Sequence, residues 1–198
     1  MLTLLDPPVE PVLTLQEVKD YLRVDHGDDD VLILGLIEAA RQRFDGGDGI
    51  LGRCLRPQVW RLDCQVVPNR LPLPPTLEVQ EIDYLDTDGT RTVWPSDQYR
   101  TILGGRWGGI IVPLQGFDFP SVIASDDPDI FRVTFRAGYQ DLSSPANEPV
   151  PEPIRIAMKM LIGDMFENRI NTVVGAAVSE LPMAISMLIE PYRSIPVA

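Results

Sequence analysis

The 198 residues include one histidine, two cysteines and three tryptophans, and acidic side chains outnumber basic ones 29 to 17. Each shortage excludes something. A single imidazole, His26, leaves no second histidine for a zinc-peptidase site, and Ser-His-Asp catalysis would have to recruit that residue without a G-x-S-x-G element to present the serine. Cys54 and Cys64 could pair across a hairpin, but in a chain whose first residues lack a basic leader they read as reduced filler of a core. The net charge of −12 and pI near 4.4 argue against a sequence-independent DNA clamp, which neutralises phosphates with clustered Lys and Arg. The longest apolar run, Val31 to Ile37, is broken by Gly35 and falls far short of the ~20 residues that span a membrane. These absences predict a chain that assembles in the cytoplasm, without a membrane partner and without catalysis.

What is present is enough apolar content, 44%, to bury a real core. Thr14-Leu15-Gln16-Glu17 has the form of a capping box, in which the hydroxyl and the carboxylate satisfy each other's orphan amides, and it predicts a short helix to about Arg23. Asp28, Asp29 and Asp30 place negative charge where the dipole of a second helix favours it, and Ile33, Leu34, Ile37 and Phe44 recur along that helix at helical spacing. Gly46 to Gly49 ends it.

From Pro57 the period changes to two. Trp60, Leu62, Cys64 and Val66 share one face of a strand, and Arg61, Asp63 and Gln65 take the other. Further strands are predicted at Leu77 to Leu85, Arg91 to Trp94, Tyr99 to Leu103, Ile110 to Val112 and Phe131 to Ala137, with Asp86-Thr87-Asp88-Gly89 turning the first into the second. Ser143 to Pro153 carries four prolines and reads as a linker into a helix whose stripe is Ile154, Ala157, Leu161 and Met165, ending near Arg169. A looser stretch, Asn171 to Ser179, precedes a last helix from Leu181-Pro182 to Glu190, stopped by Pro191.

The fold class predicted is α+β: a helical bundle built from N- and C-terminal helices, with an inserted β-rich module. The division is residues 1–52 for the N-terminal helices, 53–142 for the module, and 143–198 for the linker and closing helices.

The candidates for chemistry have bland competitors. His26 beside Asp25 and Asp28 to Asp30 offers carboxylates and an imidazole, but lacks the ligand ladder and central glycine of a calcium loop, so a solvated helix start is the stronger reading and no cofactor or metal is expected. The glycine pairs of Gly104 to Gly109 lack the lysine and strand-to-helix context of a phosphate loop and suit a tight turn. Trp107 in that turn is either an exposed anchor or a core residue. The last helix, with Leu188, Pro191, Tyr192 and Arg193, either packs on its own chain or docks on a neighbour; composition does not choose.

Three ordered groups of residues resemble the head-tail connector, or adaptor, proteins of long-tailed phages and of gene transfer agents. Leu13 to Asp25 is similar to that family's capped opening helix and acidic turn, and Phe135-Arg136-Ala137-Gly138-Tyr139 to its final strand. Pro151 to Arg155, Phe166-Glu167-Asn168-Arg169, Leu181-Pro182 and Pro191-Tyr192-Arg193 resemble its last two helices. Phe166 stands where the family pattern has tyrosine, and Ile102 to Asp129 is longer and richer in glycine.

The resemblance implies a structural ring, dodecameric, beneath the portal in the neck of a phage-like particle, passing DNA only as cargo. Its implied partners are the portal protein, other neck or tail-completion proteins, and further copies of itself. The implied docking residues are Leu181, Leu188, Pro191, Tyr192 and Arg193, and the implied ring-subunit interface is Leu34, Phe44, Met165, Phe166 and Arg169. The rival reading is a β-rich binding module for carbohydrate or tail-associated recognition on a helical oligomerisation frame; it requires an aromatic platform that only Trp60, Trp94, Trp107 and scattered tyrosines could supply.

Overall fold

The computed structural model describes residues 1–103, 107–140, 149–168 and 181–194. The chain is mixed α+β. Its helices are α1 (Leu15–Leu22), α2 (Asp30–Phe44), α3 (Glu152–Glu167) and α4 (Met183–Ile189), the last running into a 3₁₀ turn at Glu190–Tyr192. Its strands are β1 (Leu2–Asp6), β2 (Gln58–Cys64), β3 (Thr76–Leu85), β4 (Arg91–Val93), β5 (Tyr99–Ile102), β6 (Ile110–Pro113) and β7 (Phe131–Ala137).

Five strands form an antiparallel sheet in the order β1-β2-β7-β3-β4, and β5 and β6 form a separate hairpin. β7 lies at the centre because its alternation is the cleanest: Phe131, Val133, Phe135 and Ala137 are buried, and Arg132, Thr134 and Arg136 alternate with them. β1 was not legible as a strand; Leu2, Thr3 and Leu4 pair with Leu62, Arg61 and Trp60, so the first residues add an edge to the sheet. Val66, expected on the apolar face of β2, lies beyond its end and is 76% exposed.

The capping box forms as read: the Thr14 side chain accepts from the Glu17 amide, and the Glu17 carboxylate accepts from the Thr14 amide at 2.8 Å. α2 turns Ile33, Ile37, Ala40 and Phe44 inward, which leaves Leu34, expected on that stripe, half exposed on the opposite side. α3 begins at Glu152 with proline in its first turn, where a missing amide costs nothing. The looser stretch at Asn171 to Ser179 and most of the proline-rich linker lie outside the described residues.

Two apolar clusters result. One gathers Val18, Ile33, Phe44, Ile154, Met158, Ile162, Ile185 and Ile189 from all four helices. The other gathers Trp60, Ile82, Trp94, Tyr99, Val133 and Phe135 from the strands. Between them run residues 45 to 58, which put Leu51 and Leu55 into the first cluster and Cys54 into the second. Both cysteines are free thiols, and burial pushes that of Cys64 up to about 11.

β7 ends on a tight approach to this connection. Gly138 has φ +134°, and a Cβ there would sit 2.2 Å from the Arg56 carbonyl oxygen, a backbone atom that cannot swing aside. Gly138→Ala is therefore expected to lower unfolding free energy by about 2–4 kcal/mol, read from urea denaturation; an unchanged midpoint would show that the connection is not held against β7.

Candidate functional site

The connection between the two clusters is held by a buried polar network. Asp45, the C-cap of α2, accepts from the Leu55 amide at 2.7 Å, from Arg41 at 2.9 Å and from the Gln58 side-chain amide at 3.0 Å. Gln58 in turn accepts from the Trp60 indole N–H at 3.1 Å, which ties the helix end to the central strands. Burial is the main influence on Asp45 and raises its pKa; the Leu55 amide and Arg41 pull the other way without cancelling it. Arg53, also buried, donates to the Tyr139 hydroxyl, and Arg56 donates to the Pro11 carbonyl at 2.9 Å. On the helical side Arg155 donates to the Val12 carbonyl at 2.7 Å and pairs with Glu17. The side chains of this network are partnered with one another and with backbone groups, as buried polar groups require.

The acidic run is equally committed to structure. Asp30 pairs with Lys19 at 2.6 Å, and His26 stands 3.7 Å from Asp28 on the surface. Among the described residues no group of three His, Cys, Asp or Glu could hold a metal ion. The outward face of the sheet carries neutralised charge: Arg61 meets Asp63 at 2.8 Å, Arg91 meets Asp83 at 2.8 Å, and Arg132 meets Asp129 at 2.6 Å.

Interaction surfaces are more distinctive than chemistry. α4 buries Ile185 and Ile189 in the helical cluster, with Leu181, Leu188 and Tyr192 packed against it. The Arg193 side chain donates to the Ile50 carbonyl at 3.2 Å, and the Ser194 amide donates to the Leu51 carbonyl at 2.7 Å. Leu188 and Tyr192, expected to anchor a partner, thus face their own chain because they continue the inward stripe of Ile185 and Ile189. What α4 offers outward is Met183, 79% exposed, and Met187, 71% exposed, with Ala184 between them and exposed Pro191 beyond. The i, i+4 spacing of the two methionines was legible in the sequence and was overlooked.

The residues expected at a ring interface divide. Leu34 is half exposed on α2, one helical turn from exposed Val31. Phe44 has no exposed surface, so it has nothing to give a neighbouring subunit and that expectation is corrected: it is a core residue. Met165 and Phe166 are partly buried against the helical cluster. Arg169 lies outside the described residues.

Of the three tryptophans, Trp94 is buried against Tyr99 at 4.8 Å and Phe119 at 5.5 Å, and Trp60 is nearly buried. Only Trp107 is open, at 56%. It overlooks a groove of about 320 Å³ whose walls include Leu2, Leu62, Leu71 and Leu73, with Arg70 on the rim. Two of the three tryptophans expected to supply an aromatic platform are therefore core residues. Among the described residues no helix is long and apolar enough to cross a membrane.

No family model and no curated protein matches the chain. Solved structures do. The chain resembles one in the virion of a native gene transfer agent particle, with TM-score 0.71 and 21% identity over 100% of this chain and 97% of that one. It also resembles a chain in the neck of an empty gene transfer agent particle computed with C6 symmetry, at TM-score 0.68, 22% identity and the same coverage. A third likeness is to the neck of a native particle computed with C12 symmetry, at TM-score 0.63, 19% identity and again the same coverage. These likenesses establish a shared fold over essentially the whole chain, the same group that the residues resemble.

Asp45→Ala strips buried donors of their acceptor and is expected to cost about 2–3 kcal/mol at neutral pH. Because Asp45 binds its proton more readily folded than unfolded, the wild-type chain should gain stability relative to this variant as pH falls from neutrality through the raised value, levelling off below the ordinary carboxylate range. Paired urea titrations across that interval measure both, and a difference that shrinks on acidification would contradict the assignment.

Proposed function

We propose that this chain is a non-enzymatic structural subunit of the neck of a tailed-phage-type or gene transfer agent particle, where copies form a dodecameric ring beneath the portal and join head to tail. The observation that carries the reading is the full-length likeness to particle neck chains, met independently by the ordered resemblance read in the sequence. In this reading the helices from the two ends form one bundle that makes the ring wall, with the strands inserted as a module between residues 53 and 142.

A cyclic ring needs two different surfaces on each subunit, because its contacts are heterologous. Leu34 with Val31, one helical turn before it, is one apolar candidate, and Met165, Phe166 and Arg169 supply the facing side. The outward face of α4 is the portal-docking element, with Leu181, Leu188 and Tyr192 acting from beneath to hold the helix in place, and Pro191 and Arg193 at its end. Methionine suits this task, since its flexible thioether adapts to an irregular partner surface. The net charge of −12 fits a ring that DNA must traverse, because phosphate-binding walls would retain it. Other neck or tail-completion proteins meet the opposite rim.

The double substitution Met183→Glu with Met187→Glu places two charges on the outward face of α4 without touching Ile185 or Ile189. It should leave the melting temperature within a few degrees and reduce co-purification with portal rings by at least about tenfold. Retention at the wild-type level would remove α4 as the docking element.

A further inference from the structure

The groove beneath Trp107 is built, not incidental. The loop that forms its floor is tied to the β5–β6 hairpin by the Leu71 amide, which donates to the Gly109 carbonyl at 2.7 Å. Gly108 holds φ +84°, and a Cβ there would stand 2.0 Å from the Leu71 carbonyl oxygen, so only glycine permits this closeness. The Gly109 amide donates to the buried Thr76 hydroxyl at 2.7 Å, fixing the hairpin end to β3. The resulting slot has apolar walls, and Arg70 is the cation among its described lining residues: it is exposed, and no hydrogen bond or ion pair to it is found among the described residues.

At the other end of the same hairpin, just past β6, the chain presents the complementary chemistry. Phe117 is 46% exposed on a turn closed by its amide donating to the Leu114 carbonyl at 2.9 Å. Asp118 follows it, exposed and likewise without an ion pair among the described residues. Phe119 leans back on Trp94, which anchors the turn and leaves Phe117 and Asp118 as its free elements. An aromatic side chain followed by a carboxylate is what an apolar slot with the Arg70 guanidinium on its rim would accept, the ring filling the slot and the charges meeting at the edge.

The geometry points to a second copy of this chain as the occupant: the Phe117-Asp118 turn of one subunit seats in the Trp107 groove of the next, with Asp118 against Arg70. Slot and knob lie at opposite ends of one hairpin, so a subunit does not satisfy itself, and the two surfaces differ, which is the head-to-tail relation that closes a ring. The longer, glycine-rich region from Ile102 to Asp129 thereby acquires a purpose: it carries the knob and one wall of the slot. This inference rests on the ring reading and specifies one of its contacts.

Charge reversal tests it. Arg70→Asp and Asp118→Arg each set like charges together and should weaken self-association by about tenfold, while the double variant restores the opposite pair and recovers the wild-type level. Association is read by sedimentation velocity and native mass spectrometry. Circular dichroism checks the fold, which two exposed substitutions should leave intact. Phe117→Ala should weaken association in all charge backgrounds. If the wild type forms rings and every variant forms them equally, this contact is wrong and the ring stands. If single reversals weaken association but the double variant does not recover, the Asp118–Arg70 pairing is overturned. A wild type that stays monomeric at its highest soluble concentration, both alone and in the presence of portal rings, sinks the contact and the ring together.

Discussion

Asp45 is the constraint on which the arrangement turns. It sits where α2 ends and the strands begin, and it satisfies groups from both sides: the guanidinium of Arg41 on the helix, the amide of Leu55 in the connection, and the side chain of Gln58 on β2. Apolar contact fixes proximity but not angle; Asp45, with the Arg53–Tyr139 and Arg56–Pro11 hydrogen bonds of the same connection, supplies the directional contacts. A buried carboxylate is costly unless its partners are in place, and that cost is what selects one orientation of the two halves over others. The close approach of Gly138 to Arg56 reinforces it, and within the helical side Arg155 bridges α3 to Val12 and Glu17.

A fixed angle between the halves matters for a ring subunit. Error in the orientation of one contact accumulates around a closed circle, so a subunit that presents two surfaces must hold them rigidly with respect to each other. The apolar surface of α2, the outward methionines of α4 and the hairpin with its slot and knob all hang from this layer. The buried carboxylate with a raised pKa, Asp45, is tied into this layer.

Much of the fold could be read from the residues because local rules were strong there. The capping box at Thr14 to Glu17 and the strict alternation of β7 each rest on interactions within a few residues or on a simple period. β1 was hidden because Leu2 to Asp6 is too short and too uniformly apolar to show a period, and its strand state is set by β2, about sixty residues away. Leu34 and Phe44 fell on one sequence stripe, yet α2 turns one to solvent and the other to the core; four positions of a period-3.6 pattern cannot fix which neighbours a helix will have.

The candidate surfaces were legible in part. The closing helix was visible as an element, but which of its side chains turn outward was not: Leu188 and Tyr192 are partly buried against the helical cluster, and Met183 and Met187 lie outside it. The slot under Trp107 could not be read at all, since it depends on Leu71 meeting the hairpin end, a contact with no local signature. The most direct measurement for the neck assignment is electron microscopy of portal rings with and without the unmodified protein. The account predicts an added annulus, coaxial with the portal channel and of twelve-fold symmetry like the native neck that this fold resembles. Portal rings left bare in the presence of excess, folded protein would contradict it.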